Sequence, residues 1–221
     1  MTRSGYQARK EKLAEIAARV FCEKGFKEAS LQDIALKEGS SKAGIYHYFK
    51  TKEDILSYIL LNNTDKFMSA LESCRMKSRG NGRDPELSLR EMIHTYARFL
   101  IKARVNSQLV LRERHQLTGE NKKKLLEKER ELFRLVKQEV SKIPNVNKKF
   151  DLSVISFLII SMCHWMGYWL KQTGKLKQEE AVNQSIEIIF GGMLKYGGLR
   201  NREAEENEDK DIERSQKKCR E

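Results

Sequence analysis

The run SLQDIALKEGSSKAGIYHYFKTKEDIL, residues 30–56, gathers Lys42, Tyr46, His47 and Lys52 within a dozen positions. A phenol, an imidazole and two ammonium groups set so closely are suited to phosphate oxygens. Lys52 falls in the first turn of a helix, where backbone N–H groups and the dipole already favour an anion, although a solvated lysine tolerated at small cost explains the same position. Gln32 and Lys42 can read adenine N6/N7 or guanine O6/N7, whereas Ala43 can meet only a thymine methyl or give clearance. The chemistry on offer is that of a surface gripping a duplex.

Catalysis finds no comparable set. There is no Gly-rich phosphate loop, H-E-x-x-H, nucleophile elbow or Cys-His pairing, and His94, His115 and His164 are solitary. The expectation is not an enzyme, and no cofactor. Cys22, Cys74, Cys163 and Cys219 show no C-x-x-C spacing, so reduced thiols and no metal are expected.

These side chains must be carried by short helices. Residues 8–24 place Leu13, Ile16, Ala17, Val20 and Phe21 at helical spacing before Gly25. Ser30 with Asp33 has capping-box spacing and opens a second helix, with Leu31, Ile34 and Ala35 facing inward and Gly39 ending it. Ser41 is the next N-cap, and Thr51 with Asp54 caps a longer helix bearing Ile55, Leu56, Ile59 and Leu60. Ala35 must be small where a second helix crosses above it, and Gly39 can take the left-handed turn; a tight αα-corner of any function asks for the same residues. The second short helix leads with Ser41, Lys42, Ala43 and Gly44, small or extended residues at the end that a recognition helix drives into the major groove.

The whole chain reads as all-α. Its 221 residues hold two prolines, at Pro85 and Pro144, and helix formers dominate. A formal charge of +12, from 43 Lys+Arg against 31 Asp+Glu, favours polyanionic partners, although solvated Lys-rich helices give the same total. The start of the chain is charged throughout its amphipathic run, unlike a signal peptide. Residues 152–170 are long and apolar enough for a membrane span, but Ser153, Ser156, Ser161 and His164 and the lack of a second span favour a buried helix. A cytoplasmic protein with no membrane partner is expected.

Residues 8–56 resemble the DNA-binding domain of the TetR family of bacterial transcriptional regulators. The family's pattern stands here as Ile34-Ala35, Gly39, Ser41, Gly44, Ile45-Tyr46, Tyr48-Phe49 and Lys52, with Glu38 and Ser40 departing from its usual Ala and apolar residue. The resemblance implies that Ser30, Tyr46, His47 and Lys52 hold phosphates of a double-stranded operator, with Gln32, Lys42 and Ala43 at the bases and Ser41 beside them. It implies a domain over 1–52, a helical effector-binding and dimerisation domain over 53–200, and about nine helices. The last 21 residues are mostly charged and are expected to be a disordered tail, 201–221.

A regulator of this kind needs a cavity and a dimer surface. Residues 109–133 and 164–193 loosely resemble the ligand domains of TetR regulators that sense acyl-CoA thioesters. That likeness implies a small hydrophobic effector, with acyl-CoA a candidate, held by Tyr96, Phe99, Arg112, Phe133, Met162, Trp165, Met166 and Trp169; such residues are as often plain core. Ile186, Ile189, Phe190 and Met193, with Gly191 and Gly192 between, suggest half of an intermolecular four-helix bundle and so a homodimer. The expected function is a repressor released from a palindromic operator by that effector. Alternatives are a TetR-type repressor of an efflux or stress gene responding to hydrophobic or cationic drugs and, from another class, a helical protein-interaction adaptor.

Overall fold

The computed structural model describes residues 3–79, 84–170 and 177–193. Within them the regular structure is nine α-helices and one 3-10 turn, with no strand: α1 Arg3–Lys24, α2 Leu31–Glu38, α3 Lys42–Tyr46, α4 Lys52–Arg79, α5 Pro85–Lys102, α6 Arg104–Glu113, the turn Arg114–Gln116, α7 Gly119–Ser141, α8 Leu152–Trp169 and α9 Gln178–Met193. The expected tail over 201–221, the end of the second domain beyond 193 and the connector at 173–175 lie outside the described residues.

Caps set the helix starts. Thr51 and Asp54 exchange hydrogen bonds at the head of α4, Thr51 N donating to Asp54 Oδ2 and Asp54 N to Thr51 Oγ1, both at 3.0 Å. Asp84 caps α5 with Pro85 behind it, and Asp151 caps α8 by accepting from Ser153 N at 2.6 Å.

Two cores form, and α4 belongs to both. Its first half gives Ile55, Leu56, Ile59 and Leu60 to a core with Leu13, Ala17, Phe21, Ile34, Ala35 and Ile45; Phe67, Met68 and Leu71 join a second with α5, α7, α8 and α9. Leu109, Leu117 and Leu125 complete the first core from the C-terminal half, so its packing continues well past residue 52. Burying such side chains is worth roughly 1.5–3 kcal/mol each.

Helix α8 is the one described helix long and apolar enough to cross a membrane. It packs into the second core through Ile155, Ile159, Cys163 and Met166, while Gly167 lets α5 approach so closely that an added Cβ would lie 2.8 Å from Leu100 Cβ. Cys22 and Cys163 are free thiols, and burial pushes that of Cys163 well up.

Candidate DNA-reading tip and effector cavity

Helix α2 is held by a reciprocal cap. Asp33 N donates to Ser30 Oγ at 3.2 Å, while Ser30 N and Ser30 Oγ donate to Asp33 Oδ2 at 2.9 and 2.7 Å. Lys24 grips the other carboxylate oxygen at 2.5 Å, and Lys24 and Ser30 together draw the Asp33 carboxyl down to about 2. The Ser30 hydroxyl both accepts and donates within the cap, so it fixes the start of α2 while remaining at the exposed surface.

The turn to α3 follows from Gly39, in the left-handed region at φ 72°, whose N–H meets the carbonyls of Ala35 and Leu36. Ala35 is wholly buried at the crossing, as its size requires. The departure at Glu38 has its explanation in α1: the nearly buried carboxylate pairs with Arg9 at 2.5 Å. Ser41 caps α3 by accepting from Gly44 N at 3.2 Å, and Ile45, fully buried, pins the helix to the core.

Around that anchor the remaining tip residues point outward. Gln32, Ser41, Lys42, Ala43, Gly44, Tyr46 and His47 are exposed, Tyr46 by 50%. Lys42 Nζ lies 5.8 Å from the centroid of the Tyr46 ring. Tyr6 braces the far side, its hydroxyl donating to His47 O at 3.4 Å and its ring 4.9 Å from that of Tyr48. Neither Tyr6 nor the exposed Lys50 was marked as part of this surface; both lie where an aromatic or basic residue stands near the tip without motif spacing.

Lys52 requires correction. Its ammonium donates to Phe26 O at 3.0 Å, Lys27 O at 2.7 Å and Ala29 O at 3.1 Å, and sits 4.9 Å over the Phe26 ring. An ammonium has three protons, and here each has a carbonyl. Lys52 ties the α1–α2 loop to α4, and that use of the lysine also explains why a cation stands at the positive end of a helix.

Between α4, α6, α7 and α8 lies a cavity of about 560 Å³, walled by apolar residues including Phe67, Leu100, Leu132 and Ile160. Of the expected effector residues, Arg112, Phe133 and Trp165 line it. The others are corrected. Tyr96 is buried behind the wall, stacked on Phe67 at 4.6 Å and edge-on to His164 at 5.7 Å. Phe99 packs on Phe67 at 5.8 Å and lies outside this cavity, lining a neighbouring hollow instead, Met162 and Met166 join the second core, and Trp169 is 65% exposed beyond Trp165. A helix apolar all round gives no period from which to choose the stripe that faces the cavity.

Polar and charged groups enter from several helices, among them Asn63 and Thr64 on α4, Arg112 on α6, Lys128 and Glu129 on α7 and His164 on α8. Arg114 donates to Glu129 at 2.6 Å, and Lys128 pairs with Asp65. Burial raises the Glu129 carboxyl against the pull of Arg114. Burial, with Arg114 adding to it, lowers the His164 imidazole to about 4, so at neutral pH it is uncharged. Asn63, Glu129 and His164 were not singled out as cavity residues. Asn63 had a signal: it stands four residues after Ile59 and four before Phe67, a polar residue on an apolar stripe.

The expected dimer residues divide. Ile186 and Phe190 are corrected, being buried in the chain's own second core, with the Arg90 guanidinium 4.1 Å over the Phe190 ring. Ile189 packs partly against that core, and Met193 ends α9 with its side chain outside the described residues. The outward faces are elsewhere: Val154, Phe157, Leu158, Trp165 and Trp169 on α8, and Ile188 on α9, 75% exposed.

A capped helix-turn-helix with an open tip, joined by one long helix to a helical domain around an apolar cavity, defines a DNA-binding regulator rather than an enzyme. Residues 13–59 match the family of bacterial regulatory proteins, tetR family, and residues 82–193 match the tetracyclin repressor-like C-terminal domain. The chain belongs to the TetR family of transcriptional regulators. It is 22% identical over 196 residues to the HTH-type transcriptional repressor KstR2 of Mycolicibacterium smegmatis, covering 86% of this chain and 93% of that one. In fold it is similar to AibR, solved in complex with isovaleryl coenzyme A and operator DNA, with TM-score 0.72 and 24% identity over 82% of this chain and 98% of that one. It is likewise similar to the ketosteroid transcriptional regulator KstR2 of Mycobacterium tuberculosis, with TM-score 0.74 and 18% identity over 85% and 95% of the two chains.

Proposed function

We propose that this regulator is a cytoplasmic homodimeric repressor released from a palindromic operator by an amphipathic acyl thioester. The observation that carries the reading is that α4 begins inside the helix-turn-helix core and, about three to four turns on, supplies Asn63, Thr64 and Phe67 to the cavity wall. An effector that moves this wall moves the frame of the recognition helix, which is the differential contact that a switch needs. Gln32, Lys42 and Ala43 then read bases, and Tyr46, His47 and Lys50 meet the backbone.

The apolar cavity suits an acyl chain better than a cationic drug. Among the described residues Glu129 is its only acidic lining residue, and it is already paired with Arg114, so none of them offers an uncompensated carboxylate to a cation. AibR's complex with isovaleryl coenzyme A supports the same class.

A mobility shift on the gene's upstream region tests both halves. Specific binding should weaken steeply with salt, and one class among acyl-CoA thioesters and hydrophobic drugs should release the DNA. Binding that survives Lys42→Ala combined with Tyr46→Ala would refute the docking; an effector panel that changes neither affinity nor melting temperature would refute the switch.

A further inference from the structure

Beside the apolar cavity lies a second, larger hollow that the regulator reading leaves without a task. It encloses about 960 Å³ between α1, α4 and the corner where α5 gives way to α6. Its charged lining is Arg19, Lys66, Lys102 and Arg104 against a single carboxylate, Glu15. Lys66 is partly neutralised by Glu11 at 3.2 Å, and Arg104 reaches Tyr168 O at 3.4 Å, but among the described residues neither Arg19 nor Lys102 is in an ion pair. Low-dielectric walls lined by one sign of charge concentrate the opposite sign.

The two hollows share a wall. Asn63 lines both, is only 6% exposed, and its amide takes no hydrogen-bond partner among the described residues. Its amide atoms still reach the open space of the hollows, so they are placed to bond to whatever occupies them. Phe99 and Ile101 line the basic hollow while their neighbour Leu100 lines the apolar one, so the same turn of α5 serves both.

We propose that the basic cleft is the head-group compartment of the effector site: the apolar cavity takes the acyl tail and the cleft takes the phosphates of a nucleotide-bearing head, with Asn63 bonding to the polar link between them. This rests on the acyl-thioester reading above. It assigns Arg19 and Lys102 as the principal phosphate ligands, ahead of Arg114, whose charge Glu129 already meets. It also names the regulation. Arg19 is on α1, part of the helix-turn-helix core, and Lys102 is at the end of α5, so a polyanion between them draws the DNA-reading half toward the effector half.

Calorimetric titration of the full chain with octanoyl-CoA, octanoate and adenosine 3′,5′-bisphosphate, in wild type and in Arg19→Gln/Lys102→Gln, tests this. Both side chains are exposed, so the variant should keep its melting temperature. Thioester and bisphosphate affinity should fall about ten-fold or more, with a shallower salt dependence, while octanoate binding and effector-free operator binding stay as in wild type. Thioester binding equal in wild type and variant overturns the cleft and leaves the effector class standing. Octanoate binding without thioester or bisphosphate binding also overturns it, leaving only the apolar cavity. Bisphosphate binding that the variant loses, with no thioester response, supports the cleft and refutes the effector class. Loss of effector-free operator affinity in the variant, with thioester affinity intact, makes the cleft a DNA-backbone surface instead.

Discussion

Where three ammonium protons go decides what a lysine does, and Lys42 and Lys52 answer differently. Lys52 spends all three on the carbonyls of Phe26, Lys27 and Ala29, so Lys52→Met should lower stability by about 2–3 kcal/mol, seen as a lower melting temperature. Lys42 is exposed beside Tyr46, so Lys42→Ala should leave the melting temperature unchanged and weaken operator binding by about 1–3 kcal/mol in a fluorescence-anisotropy titration. Motif spacing made both lysines visible but could not separate them, because the carbonyls that claim Lys52 come from a loop some 25 residues earlier. His164 carries a different signature. Its imidazole sits near 4 in the fold against 6.5 in the unfolded chain, so the unfolded state takes up the proton first; the associated stability is intact above 6.5 and is lost as pH falls toward 4. Melting curves from pH 7 to 4.5 should fall more steeply for wild type than for His164→Gln, by about 2–3 kcal/mol at the acid end. Glu129, whose carboxyl is raised, acts in the opposite sense over part of this range in both proteins, so the comparison between them isolates the histidine.

At the scale of helices, α8 comes close to α5 at Gly167. An alanine there puts its Cβ 2.8 Å from Leu100 Cβ and 3.2 Å from the Leu100 carbonyl, too close to stand without the helices parting. Gly167→Ala should cost about 1–3 kcal/mol in denaturant titration and, because Leu100 also lines the apolar cavity, should change effector affinity as well. Helices α2, α3 and α4 were legible because Ser30, Ser41 and Thr51 are local signals that act within one turn. The faces of α8 and α9 were not. Nearly every position of α8 is apolar, so tertiary packing alone chose Ile155, Ile159 and Cys163 for the core and left Val154, Leu158 and Trp165 outside. Ile186 and Phe190 misled for the same reason: an apolar stripe tells that a face is covered, not whether its own chain or a second copy covers it.

For the whole molecule, that distinction leaves one surface unaccounted for. Val154, Phe157, Leu158, Trp165 and Trp169 recur on one side of α8, each exposed by 53% or more, with Ile188 exposed on α9. Contiguous apolar surface on this scale marks an interaction site, and in the proposed homodimer a two-fold axis through it would make the stripe its own complement. Two copies joined there present two α3 tips to successive major grooves, roughly 34–36 Å apart, which a monomer cannot do. Leu158→Glu with Ile188→Glu buries four carboxylates around that axis without touching the cavity or the tip. Since both side chains already face solvent within the chain, at 55% and 75% exposure, the variant should melt close to wild type. Its mass by light scattering at micromolar concentration should be that of one chain. Operator binding should fall by at least about 100-fold, because the two half-sites no longer share one association step, while affinity for an isolated half-site stays the same. A variant that remains a dimer and keeps full operator affinity would place the two-fold contact elsewhere and leave the α8 stripe to a different partner.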